Sequence, residues 1–431
     1  SPAGLETAAF ACAVALSLYW FMTRSRLLAL GIALGVWLRP EGAVVAGLYI
    51  VIETVIRRAL PRFATRSTVL AFVLSLPYVL FMYFYYGSVL PNLFYAKTSF
   101  GLEQLRAGVD YSWLFLRHYG YVGLPLILGL ALWRRLTEIE KQLLMFVLGY
   151  TAYIIVIGGD VLKVHRFFIP ILAPYALLTA GTLIVALRWL QPAIRVLTQI
   201  VVIVGALVWV IVAPWNYTNI YNNAEKALVS NMLALTDRMV EADSTNFTAA
   251  ATTIGAFGYA LHGHPVIDML GLTDSTIARH PLPAVPGITT TWRESKHNSR
   301  YLLERAPDYI VFSTGMKASA PAEKVLLLYP DFLRAYRVIT YPQPRNPETG
   351  IVMLDIAFRR VYPITHVDEH LLPADFVNAY TRGQQFFNSD QYDSALIWLE
   401  RALVLQRELP AYPELQYQIA ACKVGLGNDA V

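Results

Sequence analysis

With 431 residues, 56% of them hydrophobic and only 15% charged, the chain is too poor in charge to be soluble throughout, since soluble domains carry roughly a quarter charged residues. Its net charge of +5 would point to nucleic acid if the basic residues clustered on a soluble face. Many of them instead lie in short loops between apolar runs, which excludes that reading.

The polar opening Ser1-Pro2-Ala3-Gly4-Leu5-Glu6 runs straight into an apolar segment without a signal-peptide pattern, and is expected to begin inside a longer protein. Apolar runs follow at 3–22, 27–38, 43–56, 67–86, 120–133, 141–157, 168–187 and 196–213. Spanning a bilayer takes roughly 17–25 residues. The first, fourth, seventh and eighth runs meet that length, and the sixth does so with its flanks. The run at 120–133 is short but ends on Trp133 at a basic edge, an interfacial anchor pattern. The second and third runs are each too short to cross comfortably. Arg39-Pro40-Glu41-Gly42 separates them and reads as the cap of a broken helical hairpin.

Basic loops set the expected orientation. Arg24 and Arg26, then Arg57, Arg58, Arg62 and Arg66, then Arg134, Arg135 and Lys141, then Arg188 and Arg195 all fall on one side if the runs alternate. Lysine and arginine excess marks the cytoplasmic side. The opposite side then receives residues 39–42, the 87–119 loop, the 158–167 loop and everything after Pro214. Glu6, Arg39, Glu41, Asn92, Tyr95, Lys97, Asp160, Lys163, His165 and Arg166 thereby gather near one interface. Ionisable groups at membrane depth are costly and usually line a cavity or pair with one another. Carboxylates mixed with Arg and Lys at that level suit an anionic, lipid-linked substrate whose phosphate lies among the headgroups.

Beyond Trp215 the chain reads as soluble protein. Residues 215–245 form an amphipathic connector helix, with Leu228, Met232, Leu235 and Met239 at helical spacing. Strand-like and helix-like pieces then alternate: 253–257, a turn at Gly258, 266–267, a helix near Ser275–Arg279, another near Ser299–Arg305, and strands at 309–312, 335–340 and 351–358. They predict a small α/β domain ending near Tyr362. The stretch Gly255-Ala256-Phe257-Gly258-Tyr259 lacks the full glycine fingerprint of a nucleotide loop. His262-Gly263-His264 lacks a further ligand at suitable spacing and reads as a polar turn.

From Phe376 onward Gly383, Phe387, Tyr392, Ala395, Leu399, Ala402 and Pro410 approach the spacing of a tetratricopeptide repeat, and Tyr417, Ala420 and Gly425 begin another. So short an array cannot bury a core alone. It serves either as a helical hairpin docked on the α/β domain or as a module for a protein partner. The expected fold is thus a polytopic α-helical membrane domain over 1–214, a connector and extracytoplasmic α/β domain over 215–375, and a repeat-like helical tail over 376–431. The two cysteines, Cys12 in an apolar run and Cys422 near the C-terminus, do not suggest a bridge.

Five motifs in order resemble the GT-C superfamily of membrane glycosyltransferases, in particular its arabinofuranosyltransferase-type and family 39-like members. Ala3-Gly4-Leu5-Glu6-Thr7 is similar to their Ser-Gly-Leu/Met-Glu-Thr opening of an internal helix. Arg39-Pro40-Glu41-Gly42 matches their Arg-Pro-Glu/Asp-Gly break. Leu90-Pro91-Asn92 through Tyr95-Ala96-Lys97 resembles a Leu-Pro-Asn-Thr-x-Tyr-x-Lys loop, with Leu93 in place of Thr. Gly158-Gly159-Asp160 through Arg166 resembles Gly-Gly-Asp-x-x-x-x-Arg. Asp268 through Arg279, with Gly271-Leu272-Thr273-Asp274 inside it, looks like the soluble-domain signature of that group. The resemblance covers roughly 3–280 and leaves out the tail.

The resemblance implies a bacterial plasma-membrane enzyme that moves a sugar from a polyprenyl-phosphate donor to an extracytoplasmic glycan, lipid or protein acceptor. The catalytic carboxylate of such enzymes lies in the first outer loop, which is expected upstream of Ser1. A phosphate leaving group calls for positive charge, implying Lys97, Arg166 and Arg39 at the donor phosphate. Asp160, Glu41, Asn92, Glu6 and Tyr95 would orient the sugar or support those cations. No cofactor is implied with certainty; a divalent metal suits the chemistry, but no ligand set for one is visible. A transporter or flippase of lipid-linked sugars is the alternative that broken helices suggest, and a membrane scaffold using the repeat-like tail is a third.

Overall fold

The structure, a computed structural model, describes residues 5–97, 102–119, 123–160, 164–212, 215–288, 296–345, 350, 352–406 and 412–427. The chain is mostly helical and divides into two compact units. The first comprises Ser1–Leu90 and Ser99–Asn223, the second Pro91–Thr98 and Ala224–Val431.

In the first unit the helices follow the apolar runs: α1 (Leu5–Met22), α2 (Leu28–Leu38), α3 (Gly42–Arg57) and α4 (Arg62–Tyr86). After the short α5 (Asn92–Lys97), which belongs to the second unit, come α6 (Leu102–His118), α7 (Gly123–Ala131), α8 (Glu138–Val156), α9 (Ile169–Ala186) and α10 (Pro192–Val212). Among the described residues, three helical stretches are long and apolar enough to cross a membrane: Arg62–Tyr86, Glu138–Val156 and Arg166–Ala186. The start of α8 is marked by a capping box, in which Thr137 Oγ1 accepts from Glu140 N and Glu140 Oε2 accepts from Thr137 N.

The break between α2 and α3 has a steric cause. A Cβ at Gly42 would run into the backbone of Gly35 and Val36, so only glycine lets the chain turn back that tightly. Arg39 N–H donates to Gly35 O and Gly42 N–H to Arg39 O, each at 2.9 Å, which satisfies the backbone at the bend. The core of this unit centres on Phe10, Val14, Phe21, Tyr49, Phe146 and Leu178. A buried carboxylate, Glu53, ties the other ends of the helices together. It accepts from Arg24 Nη2 at 3.0 Å and from Ala64 N at 2.7 Å.

Helix α11 (Trp215–Ala242) carries the division between the units and opens the sheet domain. Then follow β1 (Ala249–Ala251), α12 (Ile254–Ala260), β2 (Val266–Asp268), α13 (Ser275–Arg279), α14 (Ser299–Arg305) and β3 (Tyr309–Val311). The domain continues through α15 (Pro321–Leu326), α16 (Pro330–Ala335), β4 (Tyr336–Pro342) and β5 (Leu354–Arg360). The strands form a five-stranded sheet in the order β2-β1-β3-β5-β4. β1 pairs parallel with both β2 and β3, while β5 pairs antiparallel with β3 and β4. Residues 253–257 begin a helix, and the strand sits just before them in the run of buried alanines at 249–251. Small side chains there leave room for cover on both faces. Ala250 points into one core with Ile267, Ile310 and Phe358, and Ala249 and Ala251 point into another with Met232, Leu235 and Met239 of α11, as the two-residue strand period requires.

The chain closes with α17 (Ala374–Phe387), α18 (Tyr392–Leu405) and α19 (Pro413–Gly425). Phe376, Tyr380, Leu399, Tyr412 and Leu415 from these helices share one continuous core with Ile310, Phe332 and Phe358 of the sheet domain. The tail is packed into the domain through these side chains, while Ile397, Val404, Tyr417 and Val424 stay exposed.

Candidate functional site

In the first unit the α8–α9 connection turns on two glycines at positive φ, Gly158 at +85° and Gly159 at +69°. A side chain at Gly159 would overlap the Tyr111 ring. This tight turn delivers Asp160 to a buried position, where its carboxylate accepts a two-pronged bond from Arg166, with Nη2 to Oδ1 at 2.9 Å and Nε to Oδ2. Such a fork is the strong geometry for arginine and carboxylate. Glu6, on the first turn of α1, acts on Arg166 electrostatically as well.

At the α2–α3 break Arg39 makes an equivalent local pair, with Nη2 2.6 Å from Glu41 Oε1 and both side chains largely buried. The two ion pairs meet at an aromatic ring. The Arg39 guanidinium carbon lies 5.1 Å from the Phe167 ring centre and 5.6 Å from that of Phe10, and the Arg166 carbon lies 5.9 Å from Phe167. These distances suit cation–π attraction. Phe167 is fixed in turn by its N–H, which donates to Tyr111 Oη at 3.4 Å. Two guanidinium groups thus flank one ring, each held by its own carboxylate. A guanidinium carries more N–H donors than one carboxylate occupies, so the pair can present planar forks to an anion such as phosphate.

Beside them His118 Nδ1 and His165 Nε2 are 2.9 Å apart. His165 is buried with left-handed backbone, φ +59°, an uncommon conformation for a residue with a Cβ. Burial first, and the neighbouring His118 second, pull its pKa down to about 4. Burial, and then Arg117, lower that of His118 too.

The other expected site residues lie in the second unit. Arg279 Nη2 donates to Asn92 Oδ1 at 3.3 Å, and its guanidinium carbon sits 5.3 Å over the Tyr95 ring. Lys296 Nζ donates to the carbonyls of Tyr95 and Ala278. The 268–279 signature builds this socket. Asp268, fully buried at the end of β2, accepts from the N–H groups of Leu270 at 3.0 Å and Thr273 at 2.7 Å, and from Thr273 Oγ1. Asp274 caps α13 by accepting from Thr276 N and Ile277 N. Helix α13 then carries Arg279 to α5. Asn92 and Tyr95 therefore partner Arg279, while Arg39, Glu41, Asp160 and Arg166 gather around Phe167. The Lys97 side chain and all of Lys163 lie outside the described residues.

Open α/β sheets bind ligands beyond the carboxyl ends of their parallel strands, at the point where strand order reverses. Here that place is filled by Glu323. Its Oε1 accepts from Thr252 Oγ1 and Ser313 N at 2.6 Å each, and its Oε2 accepts from Ser319 N at 2.7 Å and Ala320 N at 3.0 Å. The glycine-containing stretch after β1 is simply α12, and in the polar turn His264 stacks on Phe247 with ring centres 4.2 Å apart. Among the described residues no three His, Cys, Asp or Glu side chains converge as a metal would require.

Sequence reasoning missed Phe10, Phe167, Tyr111, His118 and Lys296. Phe10 and Phe167 stand close to motifs in sequence, Phe167 directly after Arg166, whereas Tyr111, His118 and Lys296 lie away from every motif and carried no signal.

Residues 218–361 match a family model described as a domain of unknown function, DUF8728. The match includes the Asp268–Arg279 socket and ends before α17. No curated protein and no solved structure matches the chain.

Proposed function

We propose that the protein is a membrane glycosyltransferase of the GT-C type, acting on a polyprenyl-phosphate sugar at the outer face of a bacterial plasma membrane. The observation that carries the reading is the clustering of Arg39 and Arg166 around Phe167, each guanidinium anchored on its own carboxylate. In this reading the two cations hold the donor phosphate, and they stabilise the charge that grows there as the glycosidic bond breaks. Within the second unit Arg279 holds Asn92 and Tyr95 of α5. Glu41, Asp160 and Glu6 keep the cations in place. The apolar helices that flank the cluster suit a substrate carried on a lipid tail.

Binding of undecaprenyl phosphate to the full chain in nanodiscs tests the reading. Arg39→Gln should weaken binding by about tenfold to a hundredfold, the loss of roughly 1.5–3 kcal/mol of charge-assisted hydrogen bonding. Arg166→Lys, which keeps charge and loses the fork, should weaken it as well. Unchanged affinity in both variants, with the protein still folded, would remove the phosphate from this place.

A further inference from the structure

Helix α6 packs against the ends of its neighbours in the first unit. Near its start the Gln104 amide donates to Val156 O at 3.1 Å, in the last turn of α8. At Gly108 the approach is so close that a Cβ would strike Ile155 O. One turn later Tyr111 packs on Gly159 and stacks on Phe168 with ring centres 5.7 Å apart, and Phe115 stacks on Phe168 at 3.8 Å. At its end His118 meets His165 and lies 4.3 Å from the ring of Tyr217, on the first turn of α11. Successive turns of α6 therefore touch the end of α8, the α8–α9 connection, the start of α9 and the start of α11. These contacts hold α6 at this end of the bundle.

Its outer surface is patterned. Leu102, Leu105, Val109 and Trp113 are all exposed, with Leu102 at 85% and Trp113 at 66%. Steps of three and four residues place them in one stripe. Exposed Arg106, Asp110 and Arg117 follow the stripe along one edge, and on the other side it adjoins the buried face of Gly108, Tyr111 and Phe115. Val156, exposed on the last turn of α8, extends the apolar surface onto a helix long enough to cross a membrane. An apolar stripe edged by cations, with tryptophan in it, is the pattern of helices that lie in the headgroup boundary.

We infer that α6 lies in the plane of the membrane interface, its stripe of Leu102, Leu105, Val109 and Trp113 seated in lipid. Because Gly108, Tyr111 and Phe115 lock α6 to Ile155, Gly159 and Phe168, α6 fixes the Asp160–Arg166 pair at headgroup depth, where a lipid-linked phosphate lies. The inference rests on the membrane reading of α8 and α9 and is independent of sugar transfer.

Nitroxide labels on single introduced cysteines test it in the full chain, with Cys12→Ser to remove the exposed native thiol, in phosphatidylethanolamine–phosphatidylglycerol nanodiscs. Val109→Cys and Trp113→Cys should be relaxed more by oxygen than by a water-soluble nickel chelate. Asp110→Cys and Arg117→Cys should show the reverse. Leu177→Cys, at an exposed position along α9, is the internal reference and should show the strongest oxygen preference. Nickel-dominated relaxation at 109 and 113 with a lipid-exposed Leu177 site would overturn the inference alone. Nickel-dominated relaxation at all three would overturn the membrane reading with it. Shielding of 109 and 113 from both agents would mean a protein covers the stripe, and would also overturn it.

Discussion

Glu414 of α19 reaches across to the edge strand β4, where its Oε1 accepts the Val338 backbone N–H at 2.9 Å. An edge strand presents unpaired backbone groups that invite pairing with other chains. Glu414 occupies one of them, and the apolar faces of the last three helices continue the core beneath it. The repeat-like tail is in this respect part of the sheet domain.

Truncating that shared core should destabilise the whole domain. Phe376→Ala removes a fully buried ring stacked on Tyr380 and should cost about 3–5 kcal/mol. Hydrogen exchange on the full chain should then speed up in β3 and β5 as well as in α17. Faster exchange confined to α17–α19 would show the tail to be an independent module.

Asp160→Asn should destabilise the first unit by about 3 kcal/mol, because it strands a guanidinium that the fold has taken partly out of water. The double variant Asp160→Asn with Arg166→Gln should recover much of that loss. Thermal unfolding in detergent reads both, and an undiminished melting temperature for Asp160→Asn would show that the pair contributes little.

Acid should weaken the first unit through His165. Its pKa falls from 6.5 in the unfolded chain to about 4 in the fold. Between those values the unfolded state binds the proton and the folded state does not, so stability drops as pH falls. The contribution is fully present above about pH 6.5 and is lost progressively toward pH 4. His118 has a shift of the same sign. Melting temperatures at pH 7.5 and pH 5 should differ more in the native chain than in His165→Gln; equal differences would discount the histidine.

Arg279→Ala should release α5 while leaving the sheet intact. It removes a hydrogen bond to Asn92 and a cation–π contact with Tyr95, together worth about 1–2 kcal/mol. Exchange over residues 92–97 should accelerate several-fold with β1 and β3 unchanged. Unaltered protection of α5 would place its anchoring on Lys296 instead.

Much of this architecture is legible in the sequence, because it follows from local chemistry. The apolar runs locate α1 through α4 and α7 through α10, and a bend that brings backbones together at Gly42 needs the glycine that Arg39-Pro40-Glu41-Gly42 supplies. Asp160 and Arg166 stand six residues apart, so spacing alone suggests their pairing. Tertiary structure decided the rest. Phe167 joins Arg39 to Arg166 because packing of α1, α3, α8 and α9 brings residues more than a hundred positions apart to one ring. Asn92 and Tyr95 belong with Arg279 because α5 docks on α13, a contact between segments nearly two hundred residues apart. The exposed stripe on α6 follows the same division. Its periodicity is written in the chain, but which of its faces is buried depends on the helix ends it packs against.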